Sequence, residues 1–136
     1  MIEGFEDETQ PLTADEDTAA VLLGRYFHKY YVGENNAVTS HRIISGFKEI
    51  HNIKLSGARV RKIINHLRRN HIPMLVASSK GYYIENDREK VKVYIESLKG
   101  RINAINAVIS AIESNIYSVQ PQIVIDLIEN NSNSPC

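Results

Sequence analysis

Cysteine occurs once in this 136-residue chain, at Cys136, so no disulfide can form within it. That fits a reducing compartment, and a cytoplasmic protein is expected. Apolar runs are short, and none approaches the roughly 18 residues of a membrane span, so no membrane partner is expected. The first ten residues, MIEGFEDETQ, lack the basic flank and apolar stretch of a secretory signal. No Gly-x4-Gly-Lys phosphate loop and no nucleophile–base pairing is visible, which argues against an enzyme and against a bound cofactor. His51, His66 and His71 have no cysteine pair or acidic ligand beside them in sequence. A tetrahedral metal site needs four ligands, or three plus water, so no metal is expected.

Charge of one sign is also missing from whole segments. Residues 1–17 hold seven acids and no lysine or arginine, whereas residues 18–90 hold thirteen lysines and arginines against five acids. The net charge of zero therefore hides a basic middle segment, the electrostatic footprint of a polyanion binder. Residues 55–84 contain no acid at all.

Residues 1–12 read as an acidic, disordered tail. Thr13-Ala14-Asp15-Glu16 is a capping box, and acids in a first turn suit the positive end of the helix dipole. The helix that follows should run to about Val32, burying Val21, Leu22, Tyr26 and Tyr30. Gly33-Glu34-Asn35-Asn36 should end it. Residues 37–39 suit a short strand, and Thr39 or Ser40 a cap for a second helix whose Ile43, Ile44, Phe47 and Ile50 fall at core spacing. After a loop over residues 52–55, Ser56 caps a third helix, which Pro73 prevents from continuing. Met74-Leu75-Val76-Ala77 and Tyr82-Tyr83-Ile84 are β-rich runs joined through Ser78-Ser79-Lys80-Gly81, a hairpin signal.

The third helix carries Arg59, Arg61, Lys62, His66, Arg68 and Arg69. At about 100° per residue, Val60, Ile63, Ile64 and Leu67 share one stripe, the pattern of a buried face. Ala58, Lys62, Asn65 and Arg69 lie opposite, flanked by Arg61, His66 and Arg68. A major groove admits a helix whose Arg, Lys and Asn side chains read base edges while a cationic rim pairs with phosphates. Ser56, Gly57 and Ala58 would let the helix start approach a backbone phosphate. Ser79 and Lys80 at the hairpin tip, and Thr39, Ser40 and Arg42 at the second helix start, would meet flanking backbone. The candidate interface is therefore Thr39, Ser40, Arg42, Ser56, Gly57, Ala58, Arg61, Lys62, Asn65, Arg68, Arg69, Ser79 and Lys80, with double-stranded DNA as the partner.

Val60-Arg61-Lys62-Ile63-Ile64-Asn65-His66-Leu67-Arg68, followed by Ile72-Pro73-Met74 and Gly81-Tyr82-Tyr83-Ile84, resembles the winged helix-turn-helix of the biotin-repressor type. Members of that family commonly carry a basic third helix, an apolar-Pro-apolar strand and a Gly-Tyr-apolar wing strand. The resemblance covers residues 14–85 and extends to small bacteriophage-encoded DNA-binding proteins, in which a similar wing runs into a long C-terminal helix. It implies a mainly α fold with a small β-wing and a role in transcription regulation or in phage replication or recombination. No ligand-binding or enzymatic domain of the biotin-repressor kind follows, so that activity does not carry over. The competing reading is a winged-helix interaction module, or inhibitor, whose basic face binds an acidic partner protein.

Asn86, with Glu89 completing a capping box, should open a long last helix. Val91, Ile95, Leu98, Ile102, Ile105, Ile109, Ile112 and Ile116 alternate in steps of four and three, an unbroken heptad seam. Its first half would suffice for packing on the same chain, so the remainder predicts a coiled-coil-like homodimer held by Leu98, Ile102, Ile105, Ile109, Ile112 and Ile116. Isoleucine at both seam positions also permits a higher order. The expected divisions are a tail over 1–12, a DNA-binding domain over 13–86, an oligomerisation region over 87–129 and a disordered end over 130–136. The acidic tail could also compete with DNA for the basic face.

Overall fold

The computed structural model of the chain describes residues 10–118. Expectations for residues 1–9, and for the apolar segment and chain end after Ser118, lie outside the described residues. Within them are four α-helices: α1 (Ala14–Tyr30), α2 (Ser40–His51), α3 (Gly57–Asn70) and α4 (Arg88–Ser118). A short 3-10 turn (Glu34–Asn36) follows α1, and two antiparallel strands, β1 (Leu75–Ser78) and β2 (Gly81–Ile84), follow α3. The described residues are mainly helical with one small sheet, as the sequence predicts. It divides into two compact units, one reaching Val93 and one beginning at Tyr94.

The capping box forms: Thr13 Oγ1 accepts the Glu16 amide at 3.2 Å and Glu16 Oε1 accepts the Thr13 amide at 2.9 Å. The buried stripe of α1 differs from the predicted one. Ala19, Ala20, Leu23 and Phe27 are buried, whereas Val21 and Tyr30 are more than half exposed. Leu22 and Tyr26 are half-buried beside that core. Two apolar stripes compete on this helix, and packing against α3 selects the one with smaller side chains at its start.

On α2, Thr39 Oγ1 accepts the Arg42 amide and forms the cap. Ile43 and Phe47 are buried and Ile44 half-buried, but Ile50 is 75% exposed. The reason lies in Asn52, which takes a left-handed conformation (φ +53°) and ends the helix. The turn brings Ile53 back under Phe47, its amide donating to the Phe47 carbonyl at 3.0 Å, and Ile53 is buried instead of Ile50.

Ser56 caps α3 by accepting the Arg59 amide, and Val60, Ile63, Ile64 and Leu67 are all buried. The hairpin register pairs Leu75 with Ile84 and Ser78 with Gly81, leaving Ser79 and Lys80 as the two-residue tip. The strand expected at residues 37–39 is reduced to one bridge, Val38 with Tyr82, whose backbones exchange hydrogen bonds of 2.8 and 2.9 Å. Val32 makes a parallel bridge to Ile84 at the other end of the same strand. Apolar residues from α1, α2, α3, the hairpin and the loop before α3 form one core.

The cap of α4 falls one residue later than predicted. Asp87 Oδ1 accepts the Glu89 amide at 2.9 Å, and the Glu89 carboxylate pairs with Lys92 at 3.1 Å rather than reaching back. A carboxylate at the positive end of a helix is a stronger acceptor than the amide of Asn86. Gly100 does not interrupt the helix.

Candidate nucleic-acid interface

Capping and the stripe period together fix which side of α3 points outward. Arg61, Asn65 and Arg69 are exposed or half-exposed, and so is Lys62. Lys62, Asn65 and Arg69 line one shallow cleft of about 290 Å³, joined there by Leu12, Asp17 and His66. The structure thus gathers three predicted cationic or amide side chains on one surface. It also places one acid, Asp17 of α1, at the margin.

Two arginines of α3 face neighbouring elements. Arg59 turns toward α1, where its Nε and Nη2 donate to Glu16 at 2.6 and 2.5 Å. Its guanidinium also donates to the Gln10 and Pro11 carbonyls at 2.9 and 2.8 Å. Gln10 and Pro11, grouped with the tail by composition, are therefore held against the first turn of α3. Glu16 is only 5% exposed, and the Arg59 guanidinium beside it holds its carboxyl down at about 2, against the desolvation that opposes this. A carboxylate so buried requires a cation.

Arg68, on the opposite flank, donates through Nε to the Leu75 carbonyl at 2.7 Å and through Nη1 to Asn65 Oδ1 at 3.1 Å. Its guanidinium lies 5.9 Å from the centre of the Tyr82 ring. Arg68, one of the predicted DNA contacts, is half-buried and braces β1 and β2 against α3, and it orients the Asn65 amide.

The hairpin and the start of α2 are brought together by Gly81. Its φ is +125°, and a Cβ there would fall 2.6 Å from the Val38 carbonyl carbon and 3.0 Å from the Thr39 nitrogen. Only glycine allows this approach. Thr39 therefore lies beside the base of the hairpin tip. Ser79 and Lys80 are at that tip, Ser78 Oγ accepts the Lys80 amide at 3.1 Å, and Lys80 Nζ reaches Asn35 Oδ1 at 3.4 Å. Arg42 is exposed and Ser40 half-buried in the first turn of α2. Ser56 is exposed, and Gly57 and Ala58 are half-buried at the start of α3.

Sequence reasoning missed the Glu16–Arg59 pair, because the capping-box role already accounted for Glu16. The signal was available: Glu16 is in phase with Ala19, Leu23 and Phe27, so burying that stripe buries the carboxylate. The His66 and His71 rings meet edge to face with centroids 5.7 Å apart. Among the described residues no group of three or more His, Cys, Asp or Glu is arranged to hold a metal ion.

Along α4, Ile102, Ile105, Ile109, Ile112 and Ile116 are each between 45% and 64% exposed. Val108, off the seam, is 58% exposed. No helix among the described residues is long and apolar enough to cross a membrane. No protein-family model matches the chain, and none of the curated proteins or solved structures compared with it does either.

Proposed function

We propose that residues 13–86 form a winged helix-turn-helix that binds double-stranded DNA sequence-specifically, with α3 in the major groove and the β1–β2 hairpin as the wing. The observation that carries this reading is the outward face of α3. Lys62, Asn65 and Arg69 line one surface there, in a stretch of thirty residues without an acid. Arg59, which would have added an inward cation, is neutralised by Glu16. The outward cations are the types that pair with phosphates and guanine edges, and Asn65 suits an adenine edge. Thr39 and Lys80, drawn together through Gly81, would contact flanking phosphates. The protein binds and does not catalyse.

The exposed isoleucine face of α4 supports a homodimer, so that two α3 helices engage two half-sites of a repeated or palindromic target. The setting is the cytoplasm of a bacterial or phage-infected cell, and the process transcription regulation or phage replication and recombination.

Titration of random-sequence and selected duplexes at several salt concentrations tests the proposal. A steep fall in affinity with salt is expected, and selection from a random duplex pool should return a paired motif. Absence of salt-sensitive binding to any duplex would discard the DNA reading and leave an acidic protein as the partner of the same face.

A further inference from the structure

We infer that two copies of α4 pair in opposite directions, centred on Ala107, so that Lys99 of each chain meets Glu113 of the other. This rests on reading the α4 seam as a homodimer interface, and it specifies the partner's direction and register.

Two observations carry it. The first is the distribution of charge along the helix. Lys99, which also pairs with Glu96 of its own helix at 3.4 Å, and Arg101 lie at one end of the stretch from Leu98 to Ile116, and Glu113 is the only charged residue from 102 to 118. Parallel, in-register pairing would put both pairs of cations at one level and both glutamates at another. Opposite direction sets the cationic end of each helix beside the acidic end of its partner.

The second observation is Val108, which is 58% exposed although it lies beside the seam rather than on it. With Ile102, Ile109 and Ile116 at the a positions and Leu98, Ile105 and Ile112 at d, Val108 and Arg101 fall at g, and Lys99, Asn106 and Glu113 at e. These flanking positions set partner choice and orientation in coiled coils. In antiparallel pairs, e faces e and g faces g. Stacking Leu98 on Ile116, Ile102 on Ile112 and Ile105 on Ile109 of the other chain then brings Lys99 to Glu113 twice. The same register brings Asn106 to Asn106 and Val108 to Val108 at the centre. A shift of one heptad would set Val108 against Arg101 and Glu113 against Lys92 in one direction, or Val108 against Asn115 and Glu113 against Asn106 in the other, so neither shift keeps the valine on its own copy. Parallel pairing would set Val108 against Glu113. Only the register centred on Ala107 covers the exposed valine with its own copy and pairs the lone acid with a cation.

Cross-linking of full-length chains carrying Cys136→Ser tests this. Lys99→Cys and Glu113→Cys chains are prepared separately, mixed, and treated with a short bismaleimide. The mixed species should dominate over either self-linked species, and Val108→Cys alone should link to itself. Leu98→Cys should not self-link, because in this register the two copies lie roughly 27 Å apart along the axis. Efficient self-linking of Leu98→Cys in a chain that sediments as a dimer would overturn the antiparallel register and leave the dimer standing. A dominant pairing of Glu113→Cys with Lys92→Cys would overturn the register but not the direction. A full-length chain that sediments only as monomer would overturn the dimer reading itself.

Discussion

Glu16 and Arg59, forty-three residues apart, form a two-pronged ion pair with bonds of 2.5 and 2.6 Å that joins the first turn of α1 to the first turn of α3. Both side chains are almost fully enclosed. Removing either partner alone leaves a charge buried without its counterion, which typically costs about 3–5 kcal/mol. Glu16→Ala and Arg59→Ala should each lower unfolding stability by about that much in urea titrations. The double variant should lose less than the two singles together, because the second removal takes away a charge that was already uncompensated. Additive losses would mean the pair is not coupled.

The same pair sets a pH dependence. Glu16 titrates at about 2 rather than its ordinary 4.5, chiefly because Arg59 donates to it. A carboxyl lowered on folding stabilises the fold above its unfolded value and loses that contribution as pH falls through the folded one. Stability should therefore decline between about pH 5 and 2. In Glu16→Gln the curve should be lower near neutrality and flatter over that window. A Gln variant with the parent's slope would assign the acid sensitivity to other carboxylates.

Lys62→Ala and Arg69→Ala should each weaken duplex binding at every sequence and reduce the salt slope by about one. Asn65→Ala should instead relax the preference at one base pair, by about 1–3 kcal/mol. Arg68→Ala should act through the hairpin it braces, lowering the thermal midpoint as well as affinity. A reduced salt slope in Arg68→Ala with no change in thermal midpoint would return Arg68 to direct phosphate contact.

Glycines give a contrast. Gly81→Ala would drive a methyl group into the Val38 carbonyl and force an alanine to φ +125°. A loss above about 2 kcal/mol is expected, with the Val38–Tyr82 bridge broken. At Gly100 a methyl group would meet no atom within 4 Å beyond the helix's own local backbone, so Gly100→Ala should stabilise α4 by up to about 1 kcal/mol. Thermal unfolding of the two variants should move in opposite directions.

A chain truncated after Gly100, or one carrying Ile109→Asp, should sediment as monomer at concentrations where the parent is a dimer. An unchanged mass for both would place any interface elsewhere. The charge introduced at Ile109 would sit at the centre of the apolar seam, where burying it costs more than the contact returns.

Much of the fold is legible in local chemistry. Thr13, Thr39 and Ser56 are caps by residue type and position, and Pro73 and Gly81 mark the break after α3 and the return of the hairpin. The α3 stripe of Val60, Ile63, Ile64 and Leu67 is unambiguous because every other position from Arg59 to Asn70 is polar. On α1 the same reading fails. Leu22, Tyr26 and Tyr30 compete with Leu23 and Phe27, and helix periodicity does not discriminate between two apolar stripes. Ile50 fails for a related reason: its spacing suits the core, but the left-handed turn at Asn52 delivers Ile53 to that place.

The candidate site divides in the same way. The acid-free stretch and the outward positions of Lys62, Asn65 and Arg69 follow from the order of residues along one helix. The fates of Arg59 and Arg68 do not, because their partners, Glu16 and the Leu75 carbonyl, belong to other elements. Residue order alone specifies the caps of α1, α2 and α3, the hairpin tip, the polarity of α3 and the seam of α4, all through interactions that span a few residues. Packing between remote segments settles which α1 stripe is buried, which arginines brace the fold, and how closely Gly81 approaches Val38. Those outcomes depend on desolvation and on distances between elements far apart in the chain, which no local pattern encodes.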